Sequence, residues 1–199
     1  MRLTAIVGDI HGDLGLLNQM LSDSRVVCRD LVFLGDYVNR GPDSRGVIQR
    51  LMALREDGEQ IVTFLRGNHD EAFLAVLEGG SIVPFLQIGG SPTVMSWVPN
   101  VRGDVAVALC QQVTDEELSF FRELDTSWVG DDCIAIHGLT DDVQRALTST
   151  ELLVVGHHIQ RDATPRIVDQ VAYLDTGCGS LMGGRISALL LPEREFVTY

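Results

Sequence analysis

Leu3-Thr4-Ala5-Ile6-Val7 runs directly into Gly8-Asp9-Ile10-His11-Gly12, a short apolar segment that ends on a glycine, a carboxylate and an imidazole. A run this short and this apolar reads as a strand buried on both faces. Glycine at its end lets the chain turn sharply and lets backbone approach an ion closely. Asp9 and His11, two residues apart, point to the same side of a strand end. The same form recurs. Leu31–Leu34 leads into Gly35-Asp36-Tyr37-Val38-Asn39-Arg40-Gly41, and Ile61–Leu65 into Gly67-Asn68-His69-Asp70. Cys133–Ile136 leads into His137-Gly138, and Leu152–Val155 into Gly156-His157-His158.

Helical spacing lies between the first strands, over Leu14 to Leu21 and over Val47 to Leu54. A β-α-β-α start predicts a sheet that begins parallel. From about Asp70 to Trp128 the pattern is mostly helical. Thr114 and Glu117 form a capping box at the head of one helix, and Gly89-Gly90-Ser91-Pro92 is expected as a loop. Strands return with Val171–Leu174, Ile186–Leu191 and Phe196–Tyr199, antiparallel in part. With no internal repeat and no linker, the order predicts one α/β domain over residues 1–199. Its expected architecture is two packed, mixed β-sheets flanked by helices.

The 199 residues carry a net charge of −13. Such a surface repels a polyphosphate backbone at long range, which argues against a nucleic-acid polymer as partner. A small phosphorylated substrate stays compatible, because bound divalent cations reverse the field inside a site. No apolar stretch has the length of a membrane span. Cys28, Cys110, Cys133 and Cys178 are scattered in or beside apolar runs and form no CxxC pair. They read as reduced, buried thiols, and no secretory apolar region precedes Leu3; the expected location is cytoplasmic.

All five histidines (His11, His69, His137, His157 and His158) fall close to a glycine after a strand-like run. Taken singly, each is explained as a capped or core-edge histidine, and each Gly-Asp as a turn. Together they place imidazole, carboxylate and amide donors at the ends of several strands, where open α/β sheets bind ligands. That mixture suits manganese, iron or zinc.

Asp9-Ile10-His11-Gly12, Gly35-Asp36-Tyr37-Val38-Asn39-Arg40-Gly41 and Gly67-Asn68-His69-Asp70 resemble the ordered motifs of the calcineurin-like metallophosphoesterases, in the phosphoprotein phosphatase branch. Asp175-Thr176-Gly177-Cys178 and Gly183-Gly184-Arg185 resemble the end of its bacterial members, so the likeness spans nearly the whole chain. The resemblance implies the metallophosphatase sandwich of two sheets between helices. It also implies two divalent metal ions, manganese first and iron or zinc as alternatives. On that resemblance, Asp9 and His11 would hold the first ion, Asp36 would bridge, and Asn68, His137 and His157 would hold the second. His157 is preferred to His158 because the family's ligand directly follows the glycine. By the same resemblance, Arg40 would grip phosphoryl oxygens, and His69 would serve as acid at the leaving group. The implied reaction is attack on phosphorus by a metal-activated water, without a covalent enzyme intermediate.

Two departures bear on substrate. Asn39 stands where the family's protein phosphatases carry an aspartate paired with the counterpart of His69. Asparagine brings no charge, so His69 is expected to be a weaker acid and phosphoanhydrides better substrates than phosphoserine. The likeness to symmetrical diadenosine tetraphosphate hydrolases points the same way. The segment between His137 and His157 is short, with Arg145 its only arginine, which suggests an open site. Trp97, Trp128 and Tyr37 are expected to pack, and Asp131-Asp132 and Asp141-Asp142 to be solvated. The leading reading is a hydrolase of phosphomonoesters or nucleotide phosphoanhydrides. The rivals are a Ser/Thr protein phosphatase, whose partner is a phosphoprotein, and a weakly catalytic metal-binding interaction module.

Overall fold

The computed structural model describes residues 3–139 and 151–199. One sheet contains β1 (Thr4–Val7), β2 (Asp30–Phe33), β3 (Val62–Phe64), β9 (Ser187–Leu191) and β10 (Glu195–Thr198), in the order β10-β9-β1-β2-β3. The other contains β4 (Ser127–Val129), β5 (Cys133–Ile136), β6 (Leu152–Val155), β7 (Arg166–Val168) and β8 (Val171–Tyr173), in the order β4-β5-β6-β8-β7. In the first sheet β1, β2 and β3 are parallel, while β9 runs antiparallel to β1 and to β10. In the second, β5, β6 and β8 are parallel between antiparallel edges β4 and β7. Both sheets are therefore mixed, as expected. The two edge strands of the second sheet escape the sequence pattern because they are short and expose apolar side chains, Val129, Ile167 and Val168 among them.

Alternation along each strand explains why the runs are apolar throughout. Ala5 and Val7 face a core shared with the helices, whereas Ile6 faces the second sheet. Val32, Leu34, Leu65, Leu189 and Leu191 meet Ala135, Leu152, Val154 and Leu174 in that inter-sheet layer. A residue on either face of the first sheet is thus buried, and period-2 polarity disappears.

The described helices are α1 (Leu14–Met20), α2 (Ser24–Val27), α3 (Ser44–Asp57), α4 (Asn68–Leu77), α5 (Ile82–Gln87), α6 (Ser91–Trp97), α7 (Val105–Gln112) and α8 (Asp115–Arg122). Leu17, Val47, Ile48, Leu51, Phe73, Trp97 and Phe120 supply their side of the first core. The capping box at Thr114 and Glu117 forms as expected. Glu117 does more than cap, since it also receives Trp97 Nε1 (2.9 Å) and Arg45 Nε (3.0 Å), joining α8 to α6 and α3. The expected loop at Gly89-Gly90-Ser91-Pro92 is corrected in part: Ser91 opens α6, and Pro92 takes an early helical position where its missing N–H costs nothing. The thiols also differ from expectation. All four are free, but only Cys133 and Cys178 are buried, while Cys28 and Cys110 are exposed on the helical side.

Candidate metal centre

Six parallel strand ends open into one crevice between the sheets. β1 delivers Asp9 and His11, β2 delivers Asp36, and β3 delivers Asn68 and His69. From the second sheet, β5 delivers His137, β6 delivers His157, and β8 delivers Asp175. The loops are laced together. Gly12 N–H donates to the Tyr37 carbonyl (2.9 Å), and His11 N–H to the Asp36 carbonyl (2.8 Å). Asp70 receives the N–H groups of Asp36 (2.7 Å), Tyr37 (2.9 Å) and Gly67 (3.0 Å) on its carboxylate, so one side chain shapes two of the loops. A Cβ at Gly67 would strike the Asp36 carboxylate, and one at Gly156 would strike that of Asp9. The glycines make room for the acids. The non-glycine residues His11, Asp36, Asn39, Arg40 and His157 all adopt positive φ, between 45° and 73°.

The histidine tautomers follow from their fixed partners. His11 Nδ1 lies 3.0 Å from the Val38 carbonyl, and His137 Nδ1 lies 3.0 Å from the Leu34 carbonyl. A carbonyl only accepts, so both rings carry hydrogen on Nδ1 and direct Nε2 into the crevice. The two Nε2 atoms approach opposite oxygens of Asp36, each at 3.5 Å. Asp9 Oδ2 lies 3.9 Å beyond His11 Nε2. Asn68 Oδ1 lies 3.2 Å from His137 Nε2 and 2.8 Å from His157 Nδ1. Among the described residues, two groups have donor atoms within 4.8 Å of one another: His11, Asp36 and His69, and Asp36, His137 and His157. Asp36 belongs to both.

The crevice concentrates buried acids. Asp9, Asp36 and Asp175 are at most 2% exposed, and Asp175 Oδ2 has no hydrogen-bond partner among the described residues. Burial, with Asp175 and Asp36 nearby, holds the Asp9 carboxyl well above its ordinary value. Burial would also raise Asp36, but the hydrogen bond and charge of His137 and the other imidazoles hold it below. Burial would lower His137, yet Asp36, Asp9 and Asp70 push it up to about 10. The Arg40 guanidinium, whose Nη1 lies 2.9 Å from His11 Nε2, stands beside the same acids. Buried acids in excess, flanked by imidazole nitrogens aimed at the same oxygens, fit divalent cations.

A family model described as calcineurin-like phosphoesterase matches residues 3–195. The chain belongs to this family. Serine/threonine-protein phosphatase 1 of Salmonella typhimurium is 34% identical over 87 residues, 43% of this chain and 38% of that protein. The symmetrical bis(5'-nucleosyl)-tetraphosphatase of Edwardsiella ictaluri is 31% identical over 104 residues, 48% of this chain and 36% of that protein. The matches thus cover well under half of these curated relatives. Among solved structures, a metallophosphoesterase from Sphaerobacter thermophilus has a TM-score of 0.58 at 20% identity, over 99% of this chain and 86% of its own. That likeness bears on the fold.

Within the calcineurin-like phosphoesterase frame, Asp9, His11, Asp36, Asn68, His137, His157, His69, Arg40 and Asn39 all line or directly support the crevice. Arg40 reaches across it, with Nη1 on Ser180 Oγ (2.6 Å) and Nη2 on His69 Nε2 (3.0 Å). His158 is absent from the ligand groups; its Nε2 receives the Leu139 N–H at 3.3 Å, tying the two ligand loops of the second sheet. Tyr37 packs beneath the motif and donates to the Leu65 carbonyl (2.8 Å). Trp97 is buried in the helical core. Trp128 lines a separate cavity at the opposite strand ends, with Thr4, Asp30 and Pro192. Asp131 and Asp132 also lie there, and Asp132 faces Arg194 at 3.5 Å. Arg145 and Asp141-Asp142 fall outside the described residues. Sequence reasoning missed Ser180, Thr93, Ser44 and the role of Asp70. Only Asp70, inside a quoted motif, carried a signal.

Proposed function

We propose that this chain is a cytoplasmic, metal-dependent phosphoesterase acting as one catalytic unit over residues 1–199. Its substrates are small phosphomonoesters or nucleotide phosphoanhydrides. The observation that carries the reading is Asp36, shared between two groups of ligand atoms drawn from both sheets. Asp9 and His11 would hold one ion and Asn68, His137 and His157 a second, with Asp36 common to both. Manganese is the first expectation, iron or zinc the alternatives. When bound, such ions supply Lewis acidity and lower the pKa of water at the site.

The chain's own groups do the rest. Arg40, anchored on Ser180, offers a planar fork to phosphoryl oxygens. His69 places a ring nitrogen 3.0 Å from that fork, where a leaving oxygen would sit. His157 and Asn68 are exposed, so one flank of the site is open to solvent and to substrate. The groove beside them is lined by Arg66, Glu71, Thr126 and Gly138. It has room for the remainder of a small substrate.

The test is hydrolysis of p-nitrophenyl phosphate by metal-stripped protein with manganese restored, for the wild type and Asp36→Asn. Metal-dependent turnover that collapses in the variant supports the reading. A folded protein inert with every metal would move it to the interaction module. Diadenosine tetraphosphate compared with a phosphopeptide, in one preparation, separates the small-substrate reading from that of a Ser/Thr protein phosphatase.

A further inference from the structure

The layer between the sheets changes character at the end away from the metal ligands. On β1, β2 and β3 the side chains that face the second sheet alternate with those that face the helices. Read toward the strand starts, that inner row runs from Ile6 to Thr4, from Val32 to Asp30 and from Leu65 to Thr63. Where it turns polar, a cavity of about 310 Å³ opens between the sheets. Thr4, Val32, Thr63 and Leu191 wall it on one side, and Trp128 and Cys133 on the other. The six-membered ring of Trp128 lies over Gly130, and a Cβ there would strike it.

The lining is not that of a packing gap. Thr4 is only 5% exposed, yet its hydroxyl has no hydrogen-bond partner among the described residues. The Thr63 hydroxyl and the Trp128 indole N–H also find none there. Buried polar groups are ordinarily paired within the protein. An apolar cavity with a few convergent polar groups left over is the form of a ligand site.

Charge narrows the choice of ligand. The charged side chains that line the cavity are all acidic: Asp30, Asp131 and Asp132. Asp30 receives the Ile61 N–H (3.1 Å), and Asp132 faces Arg194 at 3.5 Å. Arg29, behind the cavity wall, is held by the Leu191 carbonyl (2.6 Å) and by Glu193 (2.9 Å), so its charge is matched outside. The acids leave a negative field at the mouth, which repels phosphates and carboxylates and attracts cations. An aromatic wall favours organic cations in particular.

We propose that this cavity is a second binding site, for a small organic ammonium ion with an apolar body. Its N–H groups donate to the Thr4 and Thr63 hydroxyls, Asp131 and Asp132 supply countercharge, and the body packs on Trp128, Val32 and Leu191. The site lies a strand length from the metal centre, since Thr4 begins β1 and Asp9 follows its end, as Cys133 and His137 do for β5. It rests on no part of the phosphoesterase reading.

Trp97 and Trp128 are the two tryptophans of the chain. Nitrogen-15-labelled protein therefore gives two indole N–H signals, which Trp128→Phe assigns. Titration with 2-phenylethylammonium is expected to shift the Trp128 signal to saturation and to leave that of Trp97 in place. The isosteric 2-phenylethanol should bind about 10-fold or more weakly, the loss of a charged hydrogen bond, and phenylacetate should not bind. Thr4→Val should weaken ammonium binding by about 10-fold for the same reason. Asp131→Asn combined with Asp132→Asn, on a surface turn, should narrow the preference for ammonium over alcohol. A Trp128 signal that does not saturate at millimolar ammonium identifies a solvent-filled cleft and overturns the proposal. So does 2-phenylethanol binding as tightly as the ammonium, or an unchanged preference in the double variant, even if Thr4→Val does not fold.

Discussion

Ser180 shows how one hydroxyl can set the aim of a reactive cation. It holds Arg40 Nη1 at 2.6 Å from a loop that the sequence motifs do not mark as functional. Ser180→Ala should leave Arg40 in place but less ordered. Losing one hydrogen bond of about 1 kcal/mol corresponds to roughly a 5-fold rise in KM for a phosphomonoester, with a smaller change in kcat. Steady-state kinetics on the metal-loaded protein check this; an unchanged KM would remove Ser180 from the site. Legibility at this scale divides by residue type. Asp9, His11, Asp36, Asn68, His69, His137 and His157 could be read because each carries chemistry that a turn does not need, repeated at strand ends. Ser180, Thr93 and Ser44 could not. Serine and threonine are common everywhere, and what distinguishes these three is a partner brought near by folding, 49 positions away in the case of Ser44 and Thr93.

Between elements, two contacts carry more than their sequence signals suggest. Glu117 was legible as a helix cap, but its links to Arg45 and Trp97 needed the packing of α3 and α6 against α8. Glu117→Ala strips a buried, multiply bonded carboxylate and leaves the Trp97 N–H unpaired. The expected loss is about 2–4 kcal/mol, read as a lower urea midpoint. The second contact joins the α1–α2 turn to the end of β10, where Tyr199 Oη donates to Asp23 Oδ2 at 2.5 Å. Hydrogen bonds from Arg25 and Tyr199 hold the Asp23 carboxyl well below its ordinary 3.8. A folded-state pKa below the unfolded one contributes stability above the unfolded value and loses it as pH falls. Between about pH 6 and about pH 3 the wild type should therefore lose more stability than Asp23→Asn. Equal losses in urea titrations at the two pH values would refute the role. The strands themselves were legible from their apolar runs. The short edges β4 and β7 were not, because pairing rather than composition makes them strands.

At the scale of the whole molecule, the candidate ligands come from both sheets, so bound ions would join them directly. An ion that binds the folded state alone stabilises it by about 2.7 kcal/mol at a hundredfold excess over Kd. For a chain of this size that is a rise in Tm of roughly 5–10 °C. Thermal unfolding with manganese and then with chelator should show the rise and its reversal, and Asp36→Asn should show neither. A rise of equal size in Asp36→Asn would place the stabilising ion elsewhere. Two sheets packed face to face with helices outside were legible from element order, and the family model confirms the family to which that order belongs.

The left-handed backbone at His11, Asp36, Asn39, Arg40 and His157 has a further consequence. Side chains with a Cβ occupy that region at a cost of about 1–2 kcal/mol each, which glycine escapes. Laboratory evolution that rewards soluble expression alone would let glycine accumulate at these five codons. Selection for turnover would hold the present residues against that drift. Sequencing both populations would record, position by position, how much stability this crevice gives up to remain reactive.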